Sequence, residues 1–268
     1  MTFTKNGFEE KGEKEGASGE PGIDSWRYDP ARDLDQGLVD RLKNFPREPD
    51  MLIYGIRSFL SLLIRGWMRL YHRMEIRGRE NLPKEESYVM VANHSSHLDV
   101  VCLLSALPLR RLHCAFPAAA KDYFFVKFPR LFLSVVTVNA LPFDRRDNPR
   151  ESLDLCRRLL LNQGNILVLF PEGTRSVTGE IGEFKTGIGW LLAGTNIPVL
   201  PCHISGGYNA WAKGKWLPRP GKLRLTIGTP RRYGDLPEEK ATVNHIRNDL
   251  REAVLGLAVV KGETNQAQ

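Results

Sequence analysis

Residues 93–99, NHSSHLD, carry side chains that can perform acid–base chemistry. They follow residues 88–92, an apolar stretch typical of a buried strand, and a helical stretch comes after them. The Asp99 carboxylate can accept one imidazole N–H from His94, fix the tautomer and leave the other ring nitrogen to take a proton. His97 can also be the base, although His94 lies closer to the strand. The segment therefore predicts a general base with an orienting carboxylate.

Residues 170–176, FPEGTRS, suit anion binding. They follow a second apolar stretch, residues 166–169, and α/β sheets bind their ligands at the carboxyl ends of strands. The planar guanidinium of Arg175 can donate two hydrogen bonds to a phosphate. Glu172 can accept a hydrogen bond from a substrate hydroxyl or hold the arginine. The segment predicts a phosphate-directed loop.

The elements that would position these segments alternate along the chain. Apolar β-rich runs bounded by turn residues and separated by helices predict an α/β domain with a mostly covered central sheet. The predicted strands span residues 88–92, 135–138, 166–170, 197–204 and 222–227. The predicted helices span residues 98–107, 121–133, 148–162, 187–193 and 238–257.

Taken together, the two motifs resemble the signature of a known enzyme family. NHxxxxD after one strand and FPEGTR after a later one are the paired signature of glycerolipid acyltransferases. Over roughly residues 75–230, the chain resembles the 1-acylglycerol-3-phosphate acyltransferase family. The resemblance implies a single glycerolipid-acyltransferase-like domain in which His94 is the general base and Asp99 orients it. It also implies direct attack on an acyl thioester without an acyl-enzyme.

The resemblance implies further substrate-binding residues. The EGTR positions are expected to bind the glycerol phosphate, and they are Glu172, Gly173, Thr174 and Arg175. Lys121 resembles a family lysine that reaches the phosphate.

Four other positions fall within family motifs as supporting or binding residues. Arg145 matches the arginine of a middle motif whose usual glycine is replaced by Asn139, a residue type that tolerates a left-handed backbone. This replacement bears on acceptor preference. Asn93 opens the first motif, and Pro201 matches a proline-centred motif.

Residues 51–73 predict an amphipathic helix that contacts a membrane. Its apolar face includes Phe59, Leu63 and Trp67. Its opposite face includes Arg57, Arg65 and Arg69. Such a helix suits the headgroup region of an anionic leaflet, and seven residues between the first two arginines are too few for a span of about 20 apolar residues. Packing on the domain core with solvated arginines is the alternative.

Charge is distributed unevenly along the 268 residues. The net charge is +7, but residues 1–50 carry −4 and residues 51–268 therefore carry +11. A hydrophobic fraction of 42% and a charged fraction of 26% exclude collagen-like, wholly disordered and polytopic membrane chains. We expect a largely disordered acidic extension (1–50), the membrane helix (51–73), the acyltransferase domain (74–260) and a disordered tail (261–268).

The expected reaction moves a fatty acyl group from acyl-CoA or acyl-carrier protein to 1-acylglycerol 3-phosphate, giving phosphatidic acid. Acylation of a lyso-ornithine lipid, lysophosphatidylglycerol or glycerol 3-phosphate is the alternative, and a non-catalytic basic membrane- or nucleic-acid-binding module is a remote one. No cofactor and no metal are expected, because thioesters are already activated and no ligand cluster appears. The expected partners are the two substrates, an anionic membrane surface and acyl-carrier protein where it is the donor, but not nucleic acid. The expected location is peripheral, on the cytoplasmic face of a membrane, and no secretory signal is visible.

Overall fold

The computed structural model describes residues 51–120, 139–144 and 149–259. Its α-helices are α1 (Met51–Tyr71), α2 (Asp99–Ala106), α3 (Pro149–Leu161), α4 (Gly187–Leu192), α5 (Gly207–Trp211) and α6 (Lys240–Val259). Its strands are β1 (Glu75–Arg77), β2 (Tyr88–Ala92), β3 (Ala115–Ala120), β4 (Leu141–Phe143), β5 (Ile166–Leu169), β6 (Val199–Ser205) and β7 (Arg224–Ile227). Short 3-10 helices cover Arg79–Asn81 and Leu109–Cys114.

Within the described residues, seven strands form one sheet in the order β1-β7-β6-β2-β5-β3-β4. The five strands from β6 to β4 run parallel, whereas β7 is antiparallel to β6. Every residue of β2 is buried, as expected for a central parallel strand that is covered on both faces. The carboxyl ends of β2 and β5 therefore lie side by side.

Helices cover both faces of the sheet. The face that includes Tyr88 and Met90 packs against α2 and against Met68 of α1. The face that includes Val89 and Val91 packs against α3, α4 and α6. This arrangement confirms the predicted α/β domain with a mostly covered sheet.

Several elements differ from the sequence prediction. The described helices and strands that match predicted ones agree to within two residues, but β1, β3, β4 and α5 were not predicted. The sequence of β3, AFPAAA, is rich in alanine and contains proline, both of which are depleted in strands. Its pairing with β5 and β4 forms it nonetheless. The predicted helix 121–133, the predicted strand 135–138 and both expected disordered segments lie outside the described residues.

The orientation of α1 corrects the prediction for two of its arginines. Arg57 is buried at 7% exposure and donates to Asn139 Oδ1 at 3.4 Å. Arg65 donates to the carbonyl oxygens of Leu104 and Leu107 at the end of α2, where orphan carbonyls attract cations. These two guanidinium groups therefore bind the domain, whereas the prediction placed them against lipid headgroups. Arg69 is exposed, and its contact with a membrane stays a prediction.

The apolar face of α1 points away from the domain. Its exposed side chains include Leu52, Phe59, Leu63, Trp67 and Leu70. By length and composition alone, α1 qualifies as a membrane-crossing helix, which the sequence prediction did not allow. However, the hydrogen bonds of its two inward arginines fasten one side to the domain at two levels, which favours a helix lying along the protein surface.

Candidate active site

The two motif segments meet at one edge of the sheet. Val91 of β2 pairs with Leu169 of β5, so the loops that leave these strands start as neighbours. The backbone N–H of His94 donates to Glu172 Oε1 at 2.7 Å, and the backbone N–H of Ser176 donates to the carbonyl of His94 at 2.8 Å. The segment NHSSHLD is therefore joined to FPEGTRS by hydrogen bonds on both sides of His94.

His94 and Asp99 form the predicted pair. Nδ1 of His94 lies 2.9 Å from Oδ2 of Asp99, and the same oxygen accepts the backbone N–H groups of Ser95 and Ser96 at 2.7 and 2.8 Å. Asp99 is completely buried, whereas the His94 side chain is 21% exposed. The carboxylate fixes one ring nitrogen, so Nε2 is the nitrogen that can exchange a proton with a ligand.

Neighbouring residues hold the pair in place. The Asn93 side chain bonds both the N–H and the carbonyl of Ile204, with Ile204 N to Oδ1 at 2.8 Å and Nδ2 to Ile204 O at 3.0 Å. The Phe170 ring stacks on the His94 ring at 4.1 Å between centroids. Gly207 lies against Asp99, and a Cβ at this position would be 3.0 Å from Oδ1. The first motif is thus tied to the residue that follows β5, to β6 and to α5.

Glu172 lies in the cleft wall but both of its oxygens are occupied by the backbone. Oε1 accepts the N–H of His94, and Oε2 accepts the N–H of Gly182 at 3.0 Å. Burial raises the pKa of this carboxyl, and its two backbone hydrogen bonds act in the opposite direction. These contacts place Glu172 as a brace between loops. Among the described residues, no hydrogen bond joins Glu172 to Arg175, and the contact with a substrate hydroxyl stays a prediction.

His97 occupies a different position from His94. Its ring lies 2.5 Å from Nη1 of Arg175 and 5.0 Å from the ring of Trp211. Burial and then the positive charge of Arg175 lower its pKa. Because Asp99 contacts the ring of His94 instead, the geometry favours His94 over His97 as the base.

A cleft of about 840 Å³ opens beside His94. Part of its wall is apolar, with Phe143, Leu153 and Ile188, and part is cationic. Besides His94 and Glu172, the cationic and polar residues at the wall are Thr174, Arg175, Lys185 and Lys213, and Gly173 adds backbone. Such a cleft suits an amphipathic anion. Among the residues that the structure describes, no three His, Cys, Asp or Glu side chains converge to hold a metal ion.

Two of these cations were not predicted as site residues. Lys185 reaches the cleft because its backbone N–H donates to Pro171 O at 2.8 Å. Lys213 arrives from beyond α5, where Ala212 pairs with Ser96. No spacing in the sequence signals either contact, because each depends on how a loop folds back onto a distant segment.

Of the remaining predicted site residues, the structure describes only some. Lys121 and Arg145 lie outside the described residues. Asn139 has φ 52, which confirms that asparagine maintains the left-handed turn. Its Nδ2 donates to His113 O at 3.0 Å. Pro201 lies in β6 opposite Val91 of β2 and accepts the N–H of Gly228 at 2.8 Å.

Comparisons with known proteins agree with this architecture. The sequence profile of the family described as Acyltransferase matches residues 73–205. A chloroplastic 1-acyl-sn-glycerol-3-phosphate acyltransferase of Brassica napus is 32% identical over 182 residues, which are 65% of this chain and 51% of that protein. The chain thus spans about half the length of the first curated relatives that it matches.

Bacterial relatives are covered more completely. A 1-acyl-sn-glycerol-3-phosphate acyltransferase of Bacillus subtilis is 31% identical over 68% of this chain and 81% of its own length. The crystal structure of the 1-acyl-sn-glycerophosphate (LPA) acyltransferase from Thermotoga maritima superposes with a TM-score of 0.58 and 27% identity, covering 77% of this chain and 82% of that one. With the paired motifs joined at one sheet edge, these likenesses show that the chain belongs to the 1-acyl-sn-glycerol-3-phosphate acyltransferase family.

Proposed function

We propose that the protein transfers a fatty acyl group from a thioester to the free hydroxyl of 1-acylglycerol 3-phosphate, giving phosphatidic acid. The observation that carries the proposal is the opening of the His94–Asp99 pair onto a cleft with apolar and cationic walls. A lysophosphatidate has an acyl chain, a hydroxyl and a phosphate, and each has a matching part of this cleft. The names of the relatives point to the same acceptor.

The proposed reaction proceeds by direct transfer. Nε2 of His94 takes the proton of the acceptor hydroxyl while the hydroxyl oxygen forms a bond to the thioester carbonyl carbon. The carbon–sulfur bond then breaks, and the leaving thiolate takes the proton from His94. Asp99 stabilises the imidazolium in between, and such acid–base assistance contributes about 10²–10⁴-fold. No step needs a cofactor, and the donor is acyl-CoA or acyl-carrier protein.

The acceptor phosphate is assigned to the cationic side of the cleft. Arg175 and Lys185 lie there with Thr174 and the backbone of Gly173. Lys121 and Arg145 are proposed to contribute further positive charge, on the resemblance alone. Holding the phosphate orients the hydroxyl toward His94, and such positioning lowers the barrier by several kcal/mol.

Membrane attachment is proposed to occur through the outward face of α1. Phe59, Leu63 and Trp67 lie exposed on this face, and burying such side chains in the interface drives peripheral binding. The charge of +11 over residues 51–268 suits the anionic cytoplasmic leaflet. The protein would therefore lie peripherally on that leaflet and take its acceptor from it.

Purified full-length protein tests the reaction directly. With lysophosphatidate and acyl-CoA or acylated carrier protein it should form phosphatidic acid, and His94→Ala should abolish the product. His245→Ala, which replaces an exposed histidine of α6, is the matched control and should retain full activity. Product formation by His94→Ala would refute the assigned base.

A panel of acceptors tests substrate choice. Because Asn139 stands where the family motif usually has glycine, lysophosphatidylglycerol, lyso-ornithine lipid and glycerol 3-phosphate belong in the panel. If one of them is acylated faster than lysophosphatidate, that lipid is the acceptor and the assignment of lysophosphatidate is wrong. A protein that acylates none, yet binds DNA or RNA in a salt-sensitive way after His94→Ala, would be a non-catalytic basic module.

Vesicle sedimentation tests the membrane helix. The double substitution Phe59→Ser and Leu63→Ser should release the protein from anionic vesicles. Leu161→Ser is the control, because Leu161 is also an exposed apolar residue but ends α3, next to the amino ends of β2 and β5. Equal binding by all three proteins would rule out α1 as the anchor.

A further inference from the structure

A second exposed apolar surface lies on the segment that follows α5. In residues 212–219, called the rim loop from here on, Trp216 is 87% exposed and Leu217 is 62% exposed. Tryptophan is highly buried on average in soluble proteins, so this exposure needs a reason. Lys213, Lys215 and Arg219 belong to the same loop and give it positive charge.

Hydrogen bonds fix the shape of the rim loop. Trp211 Nε1 donates to Lys215 O at 2.9 Å, and Lys215 N donates to Ala212 O at 3.1 Å. The turn between them requires Gly214, whose φ is 86. Arg219 N closes the loop by donating to Ala210 O at 2.8 Å. The apolar tip is therefore held outward by the loop backbone.

The rim loop connects the cleft with α1. Lys213 lines the cleft together with His94 and Arg175. At the other end of the loop, the carbonyl of Pro218 accepts a hydrogen bond from Tyr71 in the last turn of α1 at 3.2 Å. The rim loop therefore lies between the end of α1 and the mouth of the cleft.

We infer that the rim loop is a second lipid-contacting element, which inserts Trp216 and Leu217 into an anionic bilayer and holds the cleft mouth against it. Tryptophan suits the membrane interface because its ring has an apolar body and a polar N–H. The adjacent cations add attraction to anionic lipid. The inference rests on the proposed function, since a membrane-embedded acceptor would enter the cleft at this point.

Vesicle binding by the full chain is the first test. The vesicles contain phosphatidylcholine with phosphatidylglycerol, and the variants are Trp216→Ser, Leu217→Ser and the control Leu161→Ser. Each rim-loop substitution should weaken binding about tenfold, because removing one buried apolar side chain costs on the order of 1.5 kcal/mol or more. Leu161→Ser should bind as the wild type does. Unchanged binding by both rim-loop variants would overturn the inference.

Fluorescence provides a second test that does not depend on affinity. The chain has five tryptophans, so the emission of Trp216 is obtained by subtracting the spectrum of Trp216→Phe from that of the wild type. Vesicles with brominated acyl chains should quench this difference emission. Emission that persists on brominated vesicles, with the protein bound, would place Trp216 outside the bilayer and overturn the inference.

Activity assays separate this inference from the proposed function. With a short-chain, water-soluble lysophosphatidate and no vesicles, Trp216→Ser and Leu217→Ser should keep wild-type kcat/KM, and they should lose activity on acceptor presented in vesicles. If the wild type acylates no lyso-lipid while the loop still binds vesicles, the proposed function fails and the loop inference stands. If the variants instead raise KM for acylated carrier protein without changing vesicle binding, the loop binds a protein, and the lipid inference is overturned.

Discussion

Asp99→Asn should separate the structural role of Asp99 from its effect on the reaction. In the folded protein, Oδ2 accepts two backbone N–H groups and the ring of His94. An asparagine oxygen can take the same position, but it is neutral. Hydrogen bonds to a charged acceptor are stronger than neutral ones by about 1 kcal/mol each, so the two backbone bonds should lose about 2 kcal/mol of stability. These bonds exist before and during the reaction and do not change kcat.

The effect on kcat comes from the imidazolium that forms when His94 takes the proton. A unit charge about 4 Å away contributes about 4 kcal/mol at an effective dielectric constant near 20. Loss of part or all of this attraction should lower kcat by about 10²–10³-fold, since each 1.36 kcal/mol is a factor of ten.

The assay combines thermal unfolding with initial rates on a soluble lysophosphatidate. His94→Gln provides the comparison, because it removes the base but leaves both backbone bonds to Asp99. We expect it to be inactive and to unfold near the wild-type temperature. If Asp99→Asn loses stability but less than about tenfold in kcat, Asp99 serves the loop alone, and its assignment as the orienting group is refuted.

Three further substitutions probe the surroundings of the site. Asn139→Gly keeps the left-handed turn but removes the hydrogen bonds with Arg57 and His113 O. Amide hydrogen exchange in α1 should therefore become faster. Unchanged exchange would mean that these hydrogen bonds do not hold α1 in place. Gly207→Ala should lower kcat, because its Cβ would be 3.0 Å from Asp99 Oδ1; wild-type kinetics would show that α5 can shift. Burial lowers the pKa of His72, so the unfolded chain binds the proton better and stability should fall as pH drops below about 6.5. His72→Phe should flatten the dependence of the melting temperature on pH. An unaltered slope would show that His72 does not cause this dependence.

Local sequence determined the parts of the site that lie close together in the chain. His94 and Asp99 are five residues apart after an apolar strand, so spacing indicated a base with an orienting carboxylate, and the contact between Asp99 and His94 then distinguished His94 from His97. Residues 170–176 also follow an apolar strand, β5, so their position at the same edge of the sheet was predictable from the local sequence. The resemblance of the paired motifs then indicated the family, and the alternating pattern indicated the α/β class.

Tertiary structure decided what depends on contacts between distant segments. The hydrophobic period of α1 defines two faces but not which of them meets the domain, and the hydrogen bonds of Arg57 and Arg65 to the domain settle that question. Glu172 braces two loops because its partners, His94 N and Gly182 N, are supplied by folding. Lys185 and Lys213 enter the cleft for the same reason. Periodicity and spacing report on neighbours along the chain, whereas the direction of a side chain is set by the surfaces that pack around it.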